Sequence, residues 1–216
     1  MAIPEPRIAS LHIGRIQAYT DADGTPWQSA IAKAEVPGPL RLGRLGPAGD
    51  AVADTVHHGG EHHAVMVYSR THASYWKDRL GLDIGPGGLG ENLSVEGLED
   101  ETVCVGDTFR AGGALLQVSQ PRQPCKTLSR YWRCPDLLPA IWETARSGWY
   151  FRVLEEGPVN PGDALLLRER PHPGWTVARL LRLLRDRDPA DSARAAGLEA
   201  LSPTWRARFE GFARKG

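Results

Sequence analysis

The amino-acid sequence predicts a mainly β (α+β) fold, in which a body of short strands is followed by a small unit of three helices. The first observation is a series of about six to eight short apolar segments between turns rich in glycine and proline, a pattern typical of an antiparallel barrel or sandwich. The second is a change of period after residues 171–174, beyond which apolar residues recur on one helical face. These residues are Val177, Leu180, Leu181 and Leu184. We therefore predict a β domain over residues 1–170 and a three-helix domain over residues 174–216.

The predicted strands are short segments, either alternating or mainly apolar, that lie between turn signals. Residues 11–19 alternate in this way, residues 21–24 form a glycine turn, and residues 29–36 are predicted as the second arm of a hairpin. Residues 64–68 form a third strand. Further strands are predicted in residues 89–95, 102–110, 114–119, 149–154 and 163–167.

Helices are predicted where start and stop signals flank a helical period. Ser69 is predicted to cap a helix that runs to about Leu80 and ends at Gly81. A second helix is predicted over residues 137–146. Beyond the proline and glycine break, three more helices are predicted: one from residue 177, one over residues 191–201 and one over residues 203–214.

Composition and charge narrow the class of protein. The chain of 216 residues is 41% hydrophobic, yet it has no run near the roughly 18 apolar residues of a membrane span. Its N-terminus also lacks a basic, apolar signal segment. We therefore expect a soluble, cytoplasmic protein that does not bind membranes. The formal net charge is +0 at pH 7, which argues against nucleic acid as a partner.

The strongest candidate for chemistry is Cys125, which a stiff turn places after a strand. Pro121 and Pro124 restrict the backbone, so the turn loses little entropy when it orders. Arg122 and Lys126 bring positive charge, which favours the thiolate, the form of cysteine that acts as a nucleophile and as a soft metal ligand. The alternative is that Cys125 is a small buried apolar residue, as free cysteines often are.

The other two cysteines are weaker candidates. Cys104 lies between two valines in a strand-like run without a neighbouring cation, which is typical of a buried apolar residue. Cys134 precedes a predicted helix, and the sequence leaves its role open. Without a paired metal spacing, the three cysteines argue against a disulfide framework or a structural zinc site.

Four histidines lie within the seven residues 57–63. Imidazoles bind zinc, but the segment lacks the His-Glu-x-x-His or CxxC spacing of a zinc site. Gly59 and Gly60 indicate a backbone that approaches a ligand closely or adopts positive φ, and exposed N–H groups beside imidazoles suit an anion such as phosphate. The alternative is a solvated polar turn. A second glycine turn, at residues 90–92, is weak evidence by itself.

Taken in chain order, these segments match the motifs of one known family. The matching segments are Gly49-Asp50, His58-Gly59-Gly60, Gly90-Glu91-Asn92-Leu93, Val105-Gly106-Asp107, Gln120-Pro121-Arg122-Gln123-Pro124-Cys125, Gly148-Trp149, Arg152-Val153 and Gly162-Asp163. On these motifs the chain resembles the MOSC family, the domain found at the C-terminus of molybdenum cofactor sulfurases. More narrowly, it is similar to the YiiM-type members, which add a small three-helix C-terminal domain. The resemblance implies a MOSC-type β-barrel with an active-site cysteine.

The resemblance also implies a site for the molybdenum cofactor (molybdopterin). Cys125 would be the ligand to molybdenum, and Arg122 or a nearby histidine would supply a proton in catalysis. Cofactor binding would involve His58, Gly59, Gly60, His63, Asn92, Ser119, Gln120 and Lys126. One departure concerns His62-His63, where relatives often have an acidic residue followed by Arg or Lys. A histidine is only partly charged near neutral pH, so we expect anion binding there to be weaker or pH-dependent.

The function implied by the resemblance is molybdenum-cofactor-dependent reduction of N-hydroxylated small molecules, such as hydroxylaminopurine-type base analogues. The chain has no cysteine set for an iron–sulfur centre, so a separate flavin- or haem-containing reductase is expected to donate the electrons. Two alternatives stay open. Cys125 could carry a persulfide or hold a cofactor in transit without turnover, or it could be an incidental thiol in a protein whose helical tail makes homodimer contacts.

Overall fold

The computed structural model describes residues 5–215, without the side chains of Val56 and His57. The outermost residues of the two predicted domains therefore lie outside the described residues, as do the first four residues of the N-terminal segment in which no signal is expected. Within residues 5–215, thirteen strands occur: β1 (Arg7–Gly14), β2 (Gln17–Thr20), β3 (Pro26–Ser29), β4 (Lys33–Glu35), β5 (Leu40–Gly43), β6 (Gly46–Pro47), β7 (Val65–Ser69), β8 (Leu93–Glu96), β9 (Thr108–Ala111), β10 (Ala114–Pro121), β11 (Trp149–Glu155), β12 (Gly157–Val159) and β13 (Leu166–Glu169).

Eight of these strands form one mixed sheet in the order β13-β9-β10-β11-β7-β8-β1-β4. Strands β5, β6 and β12 form a second sheet, and β2 and β3 form a separate hairpin. In the main sheet β7 and β8 are parallel, and the helix His72–Leu80 lies between them in the chain, since a parallel pair needs a crossover connection. The main core packs on this sheet around Val67, Leu93, Phe109, Leu116 and Phe151, which are almost fully buried.

The main sheet is not a closed barrel within residues 5–215, so that part of the predicted fold class is wrong, whereas the α+β class is confirmed. The sheet curls until Ala164, just before β13, bridges Arg7 of β1. Next to this bridge the N–H of Leu165 donates to the carbonyl of Pro6 over 2.8 Å. Proline has no N–H to return. The ladder therefore ends there, and β4 and β13 stay at opposite ends of the strand order.

The predicted strands that correspond to β7, β10 and β11 are confirmed with small shifts of their ends. Residues 11–19 are not one strand, because β1 ends at Gly14, whose backbone hydrogen-bonds Asp50 and Ala51. Its N–H donates to Oδ1 of Asp50 over 2.6 Å, and its carbonyl accepts from the N–H of Ala51 over 3.0 Å. Residues 29–36 divide in the same way between β3 and β4. The sequence did not predict strands β5, β6 and β12, because segments this short do not show a recognisable alternation of apolar and polar residues.

The helices of the body are α1 (Thr55–His58), a short 3-10 turn (Glu61–His63), α2 (His72–Leu80), α3 (Lys126–Trp132) and α4 (Leu137–Thr144). The predicted helices at α2 and α4 are confirmed, and Gly81 ends α2 with a φ of 68°. Ser69 does not cap α2, because it is the last residue of β7 and its Oγ lies 2.9 Å from Oγ1 of Thr71. Helix α3 was not predicted, although it begins directly after Cys125.

The three predicted C-terminal helices are confirmed as α5 (Val177–Asp186), α6 (Pro189–Ala196) and α7 (Pro203–Ala213). Thr176, Asp188 and Ser202 cap them by accepting backbone N–H groups. Their apolar faces enclose Phe209, and Val105 of the body belongs to the same cluster. The division into two domains stays a prediction. Within residues 5–215, no helix has the length and apolar character needed to cross a membrane.

We expect the substitution Phe209→Ala to lower the free energy of unfolding by about 3–5 kcal/mol, because it removes a fully buried ring and leaves a cavity. Urea denaturation followed by circular dichroism would measure the loss. The matched control is Glu210→Ala, at the exposed neighbouring position in α7, which should change the stability by no more than about 0.5 kcal/mol. Equal losses in the two variants would contradict the described packing.

Candidate functional site

A cavity of about 900 Å³ opens where β10 ends and α3 begins. Its walls come from distant parts of the chain, among them the segments that contain Lys33, Asp50 and Cys125. Five predicted site residues line it, and these are His58, His63, Asn92, Arg122 and Cys125. The volume is typical of a small-molecule site. The fold thus gathers the main candidates of the sequence analysis around one space.

Cys125 is partly buried in the wall of this cavity, immediately before α3. Burial by itself would raise the pKa of its thiol. A hydrogen bond with the side chain of His58, the charge of Arg122 and hydrogen bonds with Thr127 outweigh burial and lower the pKa to about 6. The thiol is therefore mainly a thiolate at neutral pH, which favours a chemical role. Cys104 is buried, and burial raises the pKa of its thiol, as expected of an apolar position.

Arg122 is a buried cation beside this thiolate. Only 7% of its surface is exposed, and its charge also opposes the effect of burial, which raises the pKa of the neighbouring Tyr150. The Nη1 atom of Arg122 is buried and has no hydrogen-bond partner among the described residues. A buried guanidinium nitrogen without a partner is unfavourable. This nitrogen therefore indicates that an anionic or polar group binds in the cavity.

The backbone conformation after His58 requires glycine at the two positions that follow it. At Gly59 a Cβ atom would lie 2.5 Å from the carbonyl oxygen of Thr55, so a larger residue does not fit. Gly60 has a φ of 90°, which glycine adopts without strain. The predicted positive φ is confirmed at Gly60. Neither glycine is among the described residues that line the cavity, and their part in anion binding stays a prediction.

His63 lines the cavity in a fixed orientation. Its Nδ1 lies 3.1 Å from the carbonyl oxygen of Gly59, and its Nε2 lies 2.8 Å from Nε2 of Gln120. Because a carbonyl oxygen only accepts, we assign the proton to Nδ1, and Nε2 then accepts from the Gln120 amide. Burial lowers the pKa of His63 even though the Gly59 hydrogen bond opposes this. The imidazole is therefore neutral at neutral pH.

His62 is held neutral for a related reason. Burial, followed by the nearby charge of Arg152, lowers the pKa of His62. The His62-His63 pair therefore supplies little positive charge at neutral pH, and a lower pH is needed to protonate it. Weaker anion binding at this departure from the family pattern stays a prediction. Arg122 is the buried cation of the cavity wall whose charge lowers the pKa of Cys125.

Asn92 lies in the cavity wall as a bridge between strands. Its side chain accepts from the N–H of Met66 over 3.1 Å and donates to the carbonyl of His12 over 3.2 Å. It also donates to Oδ2 of Asp50 over 2.8 Å. Asp50 in turn forms a buried ion pair with Lys33, with Nζ 2.6 Å from Oδ1. Asn92 thus orients an ion pair that also lines the cavity.

Three predicted site residues are not among the described residues that line the cavity: Ser119, Gln120 and Lys126. The hydroxyl of Ser119 is buried and bonds the carbonyl oxygens of His62 over 2.7 Å and Tyr150 over 3.1 Å. Gln120 bonds His63 instead of facing the cavity. Lys126 is exposed. The first two therefore act on cavity residues through hydrogen bonds, and a direct role of all three in cofactor binding stays a prediction.

Sequence reasoning did not single out three residues that line the cavity, namely Lys33, Thr127 and Tyr150. Each is an isolated residue of a common type, so no spacing marks it. Asp50, the partner of Lys33, belongs to one of the family motifs, but the sequence did not indicate its contact with Lys33. Among the described side chains, no group of three His, Cys, Asp or Glu residues is arranged to hold a metal ion by itself.

Comparison with known proteins shows which family models and relatives this chain matches. The MOSC domain matches residues 54–166, and the YiiM-like, 3-alpha helix domain matches residues 175–211. Protein YiiM of Escherichia coli (strain K12) is 40% identical over 164 residues, which are 74% of this chain and 71% of that protein. The crystal structure of YiiM from Geobacillus stearothermophilus superimposes with a TM-score of 0.81 at 35% identity, covering 96% of this chain and 98% of that chain.

A third relative is larger. A protein of Gibberella moniliformis (strain M3125 / FGSC 7600) named Reductase is 36% identical over 190 residues. The match covers 86% of this chain but only 33% of the fungal protein. The sequence related to this chain is therefore one part of a longer polypeptide in that relative.

We expect the rate of alkylation of Cys125 by iodoacetamide to rise with pH and to reach half its maximum near pH 6, because only the thiolate reacts. Rates at Cys125 and Cys104 would be followed by mass spectrometry over a pH series. The buried Cys104 is the internal control and should react slowly throughout. The substitution Arg122→Gln should move the midpoint upward by about one pH unit. A midpoint near about 8.5, the ordinary value for cysteine, would contradict stabilisation of the thiolate.

Proposed function

This chain belongs to the MOSC domain family, in the group with a YiiM-like three-helix domain, and from that membership we propose that it is a molybdenum-cofactor-dependent reductase of N-hydroxylated compounds. The observation that carries the proposal is the pairing of an ionised Cys125 with the unpartnered Nη1 of Arg122 on one cavity. A relative named Reductase supports the reaction class.

The residues present fit a molybdenum cofactor. Thiolates are soft ligands that suit transition metals, and Cys125 offers one at neutral pH. The unpartnered Nη1 of Arg122 suits an anionic group of the cofactor. The cavity of about 900 Å³ has room for a cofactor with a small substrate. We therefore assign Cys125 as the metal ligand and Arg122 as the anchor for negative charge.

When bound, the cofactor would supply the two-electron chemistry that cleaves the N–O bond of the substrate. The reaction converts R–NH–OH, two electrons and two protons into R–NH₂ and water. The protein would position the substrate and deliver the protons. A guanidinium does not give up a proton at neutral pH, so we assign proton delivery to His58, which hydrogen-bonds the thiol of Cys125 at the cavity wall. Hydroxylaminopurine-type base analogues are the proposed substrates.

The electrons would come from a second protein. In the fungal relative the matching region is part of a much longer polypeptide, of which the match covers only 33%. We propose that a separate flavin- or haem-containing reductase fills this role.

Molybdenum and released pterin should be close to stoichiometric in the wild-type chain made in a host that synthesises the cofactor. The substitution Cys125→Ala removes the proposed ligand, so metal content and reduction of 6-hydroxylaminopurine by reduced methyl viologen should both be lost. The matched control is Cys134→Ala, a second partly buried cysteine, which should keep both. The substitution Arg122→Gln should lower the rate by about tenfold or more.

Two results would contradict the proposal. Folded wild-type protein without metal or pterin, together with an added sulfur atom on Cys125, would favour the persulfide carrier. Full metal content and activity in Cys125→Ala would show that this cysteine is not the ligand.

A further inference from the structure

Arg122 depends on backbone hydrogen bonds from a neighbouring turn. Its N–H donates to the carbonyl oxygen of Gly148 over 2.9 Å. Its own carbonyl accepts from the hydroxyl of Ser147 over 2.6 Å. Ser147 is fully buried. The turn of Ser147 and Gly148 thus holds the backbone of Arg122 from both its donor and its acceptor side.

This turn is in turn held by one carboxylate. Oδ1 of Asp100 accepts the N–H of Ser147 over 3.0 Å and the N–H of Gly148 over 2.6 Å. Its other oxygen, Oδ2, lies 2.8 Å from Nε2 of His72. Asp100 and His72 are 2% and 4% exposed. A buried carboxylate that accepts three hydrogen bonds fixes the positions of the groups that donate them. Removing it leaves two buried N–H groups without a partner.

We propose that Asp100, oriented by His72, is a positioning residue for Arg122. The carboxylate fixes the Ser147 and Gly148 turn, and the turn fixes the segment from which the guanidinium reaches the cavity. Asp100 does not touch the reacting atoms. The inference rests on the proposed function for its consequence in catalysis, because a displaced Arg122 would no longer face an anion bound next to Cys125.

The proposal can be tested through the charge that Arg122 places near the thiol. Iodoacetate is an anion and iodoacetamide is neutral, and both react only with the thiolate of Cys125. The ratio of their rates therefore cancels the fraction of thiolate and reports the nearby positive charge. The full chain would be prepared in a host that cannot make the cofactor, so that the thiol is free. Mass spectrometry would follow Cys125, with Cys134 as the internal reference.

We expect Asp100→Ala and Ser147→Ala to lower the iodoacetate-to-iodoacetamide ratio at Cys125 by about threefold, comparable to the drop in Arg122→Gln. Asp100→Asn keeps a carbonyl oxygen for the turn and should retain most of the ratio. The matched control is Ser69→Ala, which also removes a buried hydroxyl but one that bonds Thr71. If Asp100→Ala fails to fold, Ser147→Ala still interrupts the path at a single hydrogen bond.

A positioning role differs from a general structural role in that the effect of Ser147→Ala on the ratio requires Arg122. In an Arg122→Gln background, Ser147→Ala should cause no further drop in the ratio. An equal drop in both backgrounds, or an unchanged ratio in the single variants, would overturn the proposal. The measurement needs no cofactor and no turnover. If this result is positive and the chain made in a host that synthesises the cofactor contains no molybdenum, the proposed function is rejected and this inference still stands.

Discussion

Burying a thiolate is unfavourable, and at Cys125 side chains from a distant segment and from the same loop offset that cost. The side chain of His58 shares a hydrogen bond with the thiol, and the charge of Arg122 lies close enough to lower its pKa. Both groups have to be held in place, since moving either one returns the thiol towards its protonated form. Much of the structure around the cavity acts to hold them.

The pairing of two strands provides the frame for this. In the antiparallel ladder of β10 and β11, Pro121 lies opposite Trp149, so Arg122 follows directly beside Gly148. Gly148 has a φ of 78°, and a Cβ atom there would lie 2.3 Å from the carbonyl oxygen of Val67, so the chain turns tightly against β7. The part of the cavity wall that contains Arg122 is therefore held in place by the paired strands of the main sheet.

Part of the fold and of the site follows from local sequence. The short apolar runs of β7, β10 and β11 and the helical face that begins at Val177 are local patterns, and the structure confirms them. The sequence did not reveal that the sheet stays open. Closure depends on whether the segment before β13 can continue its strand pairing with the chain near Pro6, and these segments are far apart in the sequence. Helix α3 was missed since the preceding prolines suggested a turn. The ion pair of Lys33 with Asp50 joins two segments that no spacing connects.

By itself, the sequence determined that Cys125 sits in a stiff segment with cations beside it, that a strand-rich body precedes three helices, and that the chain resembles the MOSC family. These features reside in neighbouring residues, where proline geometry, apolar period and motif order can be read directly. Only the tertiary structure decided that His58 meets the thiol of Cys125, that His63 is neutral, and that Lys126 faces solvent. Those facts depend on burial and on contacts between residues far apart in the chain, which the register of strand pairing sets and a local pattern does not encode.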